Sequence, residues 1–119
     1  MKNTLVIGAS LNPQRYSNLA IIRLRQHQHP VIAIGLKPGT IADVMIETGQ
    51  PACVDIDTVT LYINPARQKE YYEYIISMKP LRVIFNPGTE NPVFEKMLKD
   101  AGIQTMEACT LVLLSIKQY

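Results

Sequence analysis

The chain has 119 residues, 47% hydrophobic and 18% charged, enough for one buried core and not for two. Its 12 Lys and Arg against 10 Asp and Glu are scattered, which argues against a nucleic-acid face, and no apolar run reaches the roughly 20 residues of a membrane helix. Cys53 and Cys109 lack CxxC spacing and no signal-like segment opens the sequence, so a reduced, cytoplasmic setting is expected.

Residues 5–7 form a continuous apolar run ending at Gly8, the pattern of a strand covered on both faces. Residues 17–25 change to helical spacing, with Ser17 as the N-cap candidate. Residues 31–34, closed by Gly35, complete a β-α-β unit. The stretch 37–57 carries too much Pro, Gly and Thr for a crossover helix and reads as loop, short edge strand near residues 44–46, then loop. Residues 58–63 are β-branched and apolar, the next central strand.

A helix follows over 66–78, with Tyr71, Tyr74, Ile75 and Met78 at helical spacing, then a strand over 81–85. Residues 91–101 form another helix, stopped by Gly102 at C′, and 103–106 a last short strand. Residues 107–116 suit a helix packed on the sheet, although Leu-Val-Leu-Leu also suits a strand. The alternation predicts one α/β domain spanning 1–119, Rossmann-like and doubly wound. Its sheet is expected to be mainly parallel with about five strands and helices on both faces.

Three apolar runs end in Asn-Pro: TLVIGASLNP, TVTLYINP and RVIFNPGTENP. Proline lacks an N–H and pushes the preceding residue to extended geometry, so each strand stops with an amide side chain at its carboxyl end. Ligands of open parallel sheets bind at that edge. Gly8-Ala9-Ser10-Leu11-Asn12-Pro13 sits between the first strand and first helix, where a dinucleotide fold holds its pyrophosphate. Gly8 allows close backbone approach, Ser10, Asn12 and Ser17 offer neutral hydrogen bonds, and Arg15 adds a positive charge to the orphan N–H groups of the helix start. The alternative is a tight turn without a ligand.

This is not a full GxGxxG fingerprint, because Ser10 and Pro13 stand where glycines are expected. The second strand ends in Gly35-Leu36-Lys37-Pro38-Gly39, a cation where NAD-binding folds place a carboxylate for the ribose hydroxyls. Lys37 there favours a phosphorylated ribose, as in coenzyme A or NADP, over plain NAD; a solvated loop lysine is the other reading.

The runs LVIGASLNPQRYS, VIAIGLKPG, DTVTLYINP, KPLRVIFNPGTENP and EACTLVLL together resemble the Rossmann-type CoA-binding domain family. These are small proteins similar to the N-terminal domain of the succinyl-CoA synthetase α subunit. The resemblance covers nearly the whole chain and implies coenzyme A as ligand. It implies that Gly8, Ala9, Ser10, Asn12 and Arg15 form the pyrophosphate loop with Ser17 at the helix start, and that Lys37, just beyond Gly35, meets the 3′-phosphate. Asn64-Pro65 and Asn86-Pro87-Gly88-Thr89 would line the crevice along the adenine and pantetheine arm. Asp43 departs from the family, which often carries Gly there; this touches the local turn and not the fold.

No Ser-His-Asp order, metal-spaced His/Cys set or Walker lysine is present. His27 and His29 close the first helix, where capping or solvation is expected. Glu90 precedes the N-cap candidate Asn91 and suits a capping or solvated role; Glu107 is a further candidate reactive group. Cys109 suits the core, while a place near a helix N-terminus would allow a mixed disulfide with a pantetheine thiol. The leading expectation is a CoA or acyl-CoA carrier, sensor or partner module without complete catalytic apparatus, acting alone, as a homo-oligomer or with an enzyme. The rivals are an NADP-dependent reductase or other nucleotide enzyme, and an interaction module with a vestigial crevice.

Overall fold

In the computed structural model, which describes residues 1–119, the run TLVIGA forms strand β1 (Thr4–Ala9) at the middle of one sheet. β2 (Val31–Gly35) and β5 (Thr58–Leu61) flank it, both parallel. Outward from β5 lie β6 (Arg82–Phe85) and β7 (Gln104–Glu107), again parallel. Outward from β2 lie β4 (Val44–Glu47), parallel, and β3 (Gly39–Ile41), antiparallel to β4. The order β3-β4-β2-β1-β5-β6-β7 makes a sheet of seven strands, not about five.

The edge strand expected near 44–46 is present, but it is half of a hairpin. Its turn, Ala42-Asp43, lacks a glycine, and Ala42 takes a φ of 54°. Asp43 anchors that turn through a bidentate pair with Arg25, at 2.8 and 2.9 Å. The guanidinium holds the Asp43 carboxyl below its ordinary range.

Alternate residues of a strand face opposite sides, and this divides the core in two. Leu5, Ile7, Val59, Leu61, Val83 and Phe85 pack with Ile75, Phe94 and Leu98. These belong to α3 (Tyr72–Met78) and α4 (Pro92–Asp100). Val6, Ala9, Ala33 and Ile46 pack with Ile21, Leu24 and Leu114, from α1 (Tyr16–Gln26) and α5 (Thr110–Ser115). Residues 107–116 thus resolve into the end of β7 and a short helix.

The helix expected over 66–78 is divided into α2 (Pro65–Gln68), a 3₁₀ turn (Lys69–Tyr71) and α3. The tighter turn accompanies burial of Gln68 and Tyr71 on the side that also buries Ile75. Ser17 is not an N-cap: Arg15 takes that position with extended backbone, and Ser17 is buried inside the helix. Asn64 and Asn91 cap α2 and α4, their side-chain oxygens accepting from the N–H of Arg67 (3.0 Å) and Phe94 (3.1 Å), each followed by Pro at the first helical position. Gly102 has a φ of 79° just beyond α4. No helix is long and apolar enough to cross a membrane.

At the amino ends of the strands, the last residue folds back over the sheet. The Tyr119 hydroxyl lies 2.6 Å from Thr4 Oγ1, its ring meets His29 edge-on at 4.9 Å, and the Arg82 guanidinium lies 4.6 Å from the ring centre. His29 Nδ1 accepts the Lys2 backbone N–H at 3.0 Å. His27 closes α1 and its ring lies 2.8 Å from the Arg23 carbonyl.

Candidate functional site

At the opposite edge, the loops after β1, β2, β5 and β6 enclose a cavity of about 690 Å³. Gly8, Ala9, Ser10, Asn12, Arg15 and Ser17 line one wall, Lys37 reaches the rim, and Asn64, Pro87, Gly88 and Thr89 form the other wall. Gly35, Pro65 and Asn86 do not line it.

Each of the three absences has a cause. A Cβ on Gly35 would lie 2.4 Å from the Ala9 carbonyl oxygen, at a register irregularity between β1 and β2, so its glycine serves strand approach. Pro65 takes the first helical position of α2, exposed and outside the lining. Asn86 is 2% exposed: its Nδ2 donates to Thr60 Oγ1 (2.6 Å) and the Leu61 carbonyl (2.9 Å), and its Oδ1 accepts from the Thr110 N–H (2.9 Å). It caps α5 from a distance of 24 residues in sequence.

Gly8 also answers to the chain before any ligand. Its φ is 101°, and a Cβ would meet the Tyr62 backbone and Ile63 at 2.9 Å. This close approach brings β1 and the end of β5 together at the cavity floor. Within the loop, Ser10 Oγ accepts from the Asn12 N–H (3.1 Å), Asn12 Oδ1 accepts from Gln14 N–H (3.0 Å), and Asn18 Nδ2 donates to the Ser10 carbonyl (2.8 Å). The loop therefore shapes itself, leaving the Ser10 O–H and Asn12 Nδ2 as donors beside the start of α1. That start has neither a side-chain cap nor an acidic residue in its first turn, so its orphan N–H groups and positive dipole end remain suited to an anion.

The lining contains Arg15, Lys37 and Arg67 and no Asp or Glu. The two ion pairs of the chain, Arg25–Asp43 and Lys96–Asp100, involve none of these cations. Arg67 is a cation that sequence reading missed; the available signal was its place two residues beyond Asn64-Pro65, in the first turn of a capped helix. Leu11, Tyr16 and Leu36, also missed, put exposed apolar groups at the rim. Tyr62 and Ile63 complete the floor. The Tyr62 hydroxyl, beside Thr110 and Thr60, finds no partner, and burial pushes its phenol far above the ordinary range.

The candidate reactive groups stand apart. Cys109 is half-buried at the N-cap of α5 and does not line the cavity. Glu90 accepts the Gly88 N–H at 2.9 Å, bracing the turn after β6. Glu107 ends β7 beside Glu95, whose carboxyl is raised by burial and by Glu107. No group of His, Cys, Asp and Glu is arranged to hold a metal.

The fold has counterparts among solved structures. One, an uncharacterized protein, is 47% identical over 100% of this chain and 98% of its own, with a TM-score of 0.97. A hypothetical protein from Pyrococcus horikoshii OT3 is 24% identical over 93% of this chain and 80% of its own, with a TM-score of 0.83, a likeness of fold. Aspartate semialdehyde dehydrogenase II from Vibrio cholerae shares the fold more remotely, at 9% identity and a TM-score of 0.54, over 89% of this chain and 38% of that one. No curated protein matches the chain. A family model described as a CoA binding domain matches residues 2–115, and the chain, an α/β protein with a mostly parallel seven-stranded sheet, belongs to that family.

Proposed function

We propose that the protein binds coenzyme A or an acyl-CoA in the cavity at the carboxyl edge, as a carrier, sensor or partner module in the cytoplasm. The observation that carries this reading is the lining itself: three cations outside any ion pair, no carboxylate, and an uncapped helix start, in a chain of the CoA-binding family. Coenzyme A presents a diphosphate and a 3′-phosphate, and each phosphate favours cations and backbone N–H groups over carboxylates. The diphosphate lies on the loop 8–12 and the start of α1, with Arg15 beside it. Lys37 meets the 3′-phosphate, Arg67 adds a cation to the diphosphate from the other wall, and the pantetheine arm runs along Asn64 and Pro87 to Thr89.

Thermal unfolding with added ligands tests this. Coenzyme A should raise the midpoint most, dephospho-CoA less, and NAD little. Equal shifts for CoA and dephospho-CoA would remove the phosphate role of Lys37. A shift with NADP and none with any CoA species would replace the proposal by a nucleotide-dependent reductase, whose 2′-phosphate Lys37 could also meet.

A further inference from the structure

We infer that Gln68 is a positioning residue of this site: its buried amide ties together the two loops that form the far wall of the cavity and so sets the width of the channel for the pantetheine arm. The inference rests on the CoA reading for its ligand and on geometry for its mechanism. Gln68 is fully buried and is not itself a lining residue. Its Nε2 donates to the carbonyls of Ile63 (2.9 Å) and Thr89 (2.8 Å). Both are lining residues, one following β5 and the other following β6. No other side chain hydrogen-bonds these two carbonyls, so one amide spans two loops separated by 26 residues in sequence.

The amide is itself held in orientation. Gln68 Oε1 accepts from Asn91 Nδ2 (2.9 Å), which also donates to the Tyr72 hydroxyl (2.9 Å), while Asn91 Oδ1 caps α4. Tyr72 stacks on Phe94 at 4.3 Å between ring centres. A flipped amide would set Oε1 against two carbonyl oxygens, so a single orientation satisfies every group. On the β5 side the same turn carries Asn64 and Arg67; on the β6 side the Thr89 N–H (2.9 Å) and Oγ1 (2.8 Å) both donate to the Asn86 carbonyl, closing the turn around Pro87 and Gly88. Asn86 Nδ2 already joins the two strand ends through the Leu61 carbonyl; beyond them, Gln68 is the side chain that links the lining parts of the two loops. The Gly8 loop, which carries the diphosphate, makes no hydrogen bond to it.

This separation defines the test. Dissociation constants for CoA and for 3′,5′-ADP, the half lacking pantetheine, are measured by calorimetry on wild type, Gln68→Met and Gln68→Glu. Gln68→Met keeps the volume and removes both donors; it should weaken CoA about tenfold and 3′,5′-ADP less than about twofold. Gln68→Glu places a carboxylate against two carbonyls, and protonation restores a donor. Its CoA affinity relative to wild type should therefore recover as pH falls from about 8 to about 5.5, whereas a residue that only supports folding would lose stability and affinity for both ligands together. Equal losses for the two ligands, or no loss, would overturn the inference. If wild type binds neither ligand the CoA reading fails by itself, and amide exchange decides the positioning role. Faster exchange at Asn64 to Gln68 and Gly88 to Glu90 in Gln68→Glu than in wild type upholds it, and unchanged exchange overturns it.

Discussion

At the carboxyl edge of the sheet, Arg15, Lys37 and Arg67 are exposed on a cavity without a carboxylate. At the amino edge, Arg82 is 8% exposed and its guanidinium is engaged from several sides: Nε donates to Thr58 Oγ1 (2.8 Å), Nη1 lies 3.6 Å from Met106 Sδ, and the Tyr119 ring covers it. One Nη of Arg82 has no partner at all. Both edges thus hold arginine without a direct ion pair, and only one offers room for a ligand. A cation marks a binding site when solvent, neighbouring N–H groups and space accompany it; buried under an aromatic ring, it is a packing element with a desolvation cost.

Substitutions can break or sharpen this contrast. Arg67→Ala should show the largest effect, weakening CoA by roughly tenfold while leaving the unfolding midpoint nearly unchanged, because the side chain is exposed and outside any ion pair. Titration calorimetry paired with urea unfolding reads both; an unchanged affinity would detach Arg67 from the ligand. Arg82→Met should do the reverse and less. Removing an unpaired buried charge while keeping its stem leaves stability within about 1 kcal/mol of wild type and CoA affinity unaltered. A large loss of affinity would show that the two edges communicate.

The smallest effect concerns pH and the amino edge alone. Burial first, then the α-amino group, His27, Lys2 and Arg82, hold the His29 pKa below its ordinary value. The unfolded chain therefore takes up this proton first, near pH 6.5. The stabilisation is present above that pH and is lost as pH falls through the folded value. Urea midpoints between about pH 7 and about pH 5 should fall less steeply in His29→Gln than in wild type. Parallel profiles would assign the acid-side loss to other groups.

The legible parts of this molecule were the ones whose causes are local. That Gly8 to Arg15 share one cavity wall was readable because a turn, a hydroxyl and a cation occupy one short stretch. Asn91 and Gly102 announced the ends of α4 by capping chemistry alone. What escaped reading depends on partners remote in sequence. Gly35 looked like a ligand contact and is a point of strand approach; Asn86 looked like a lining amide and is turned inward toward Thr60 and Thr110. The hairpin of β3 and β4 has no Asn-Gly turn to announce it and relies on Asp43 reaching Arg25. The break after Gln68 follows a side chain that also reaches the Thr89 carbonyl, 21 residues on.

The cap supplied by Asn86 also bears on the order in which the chain folds. Six residues are too few for a helix to persist alone in water, so α5 depends on docking. The amide that receives its first N–H is itself held by Thr60 and Leu61 on the neighbouring strand. Helix α5 is therefore expected to dock after β5 and β6 have paired, late in folding. Asn86→Ala should accordingly speed unfolding in stopped-flow measurements and leave the refolding rate nearly constant; a refolding rate that slows in step with stability would place α5 in the nucleus instead.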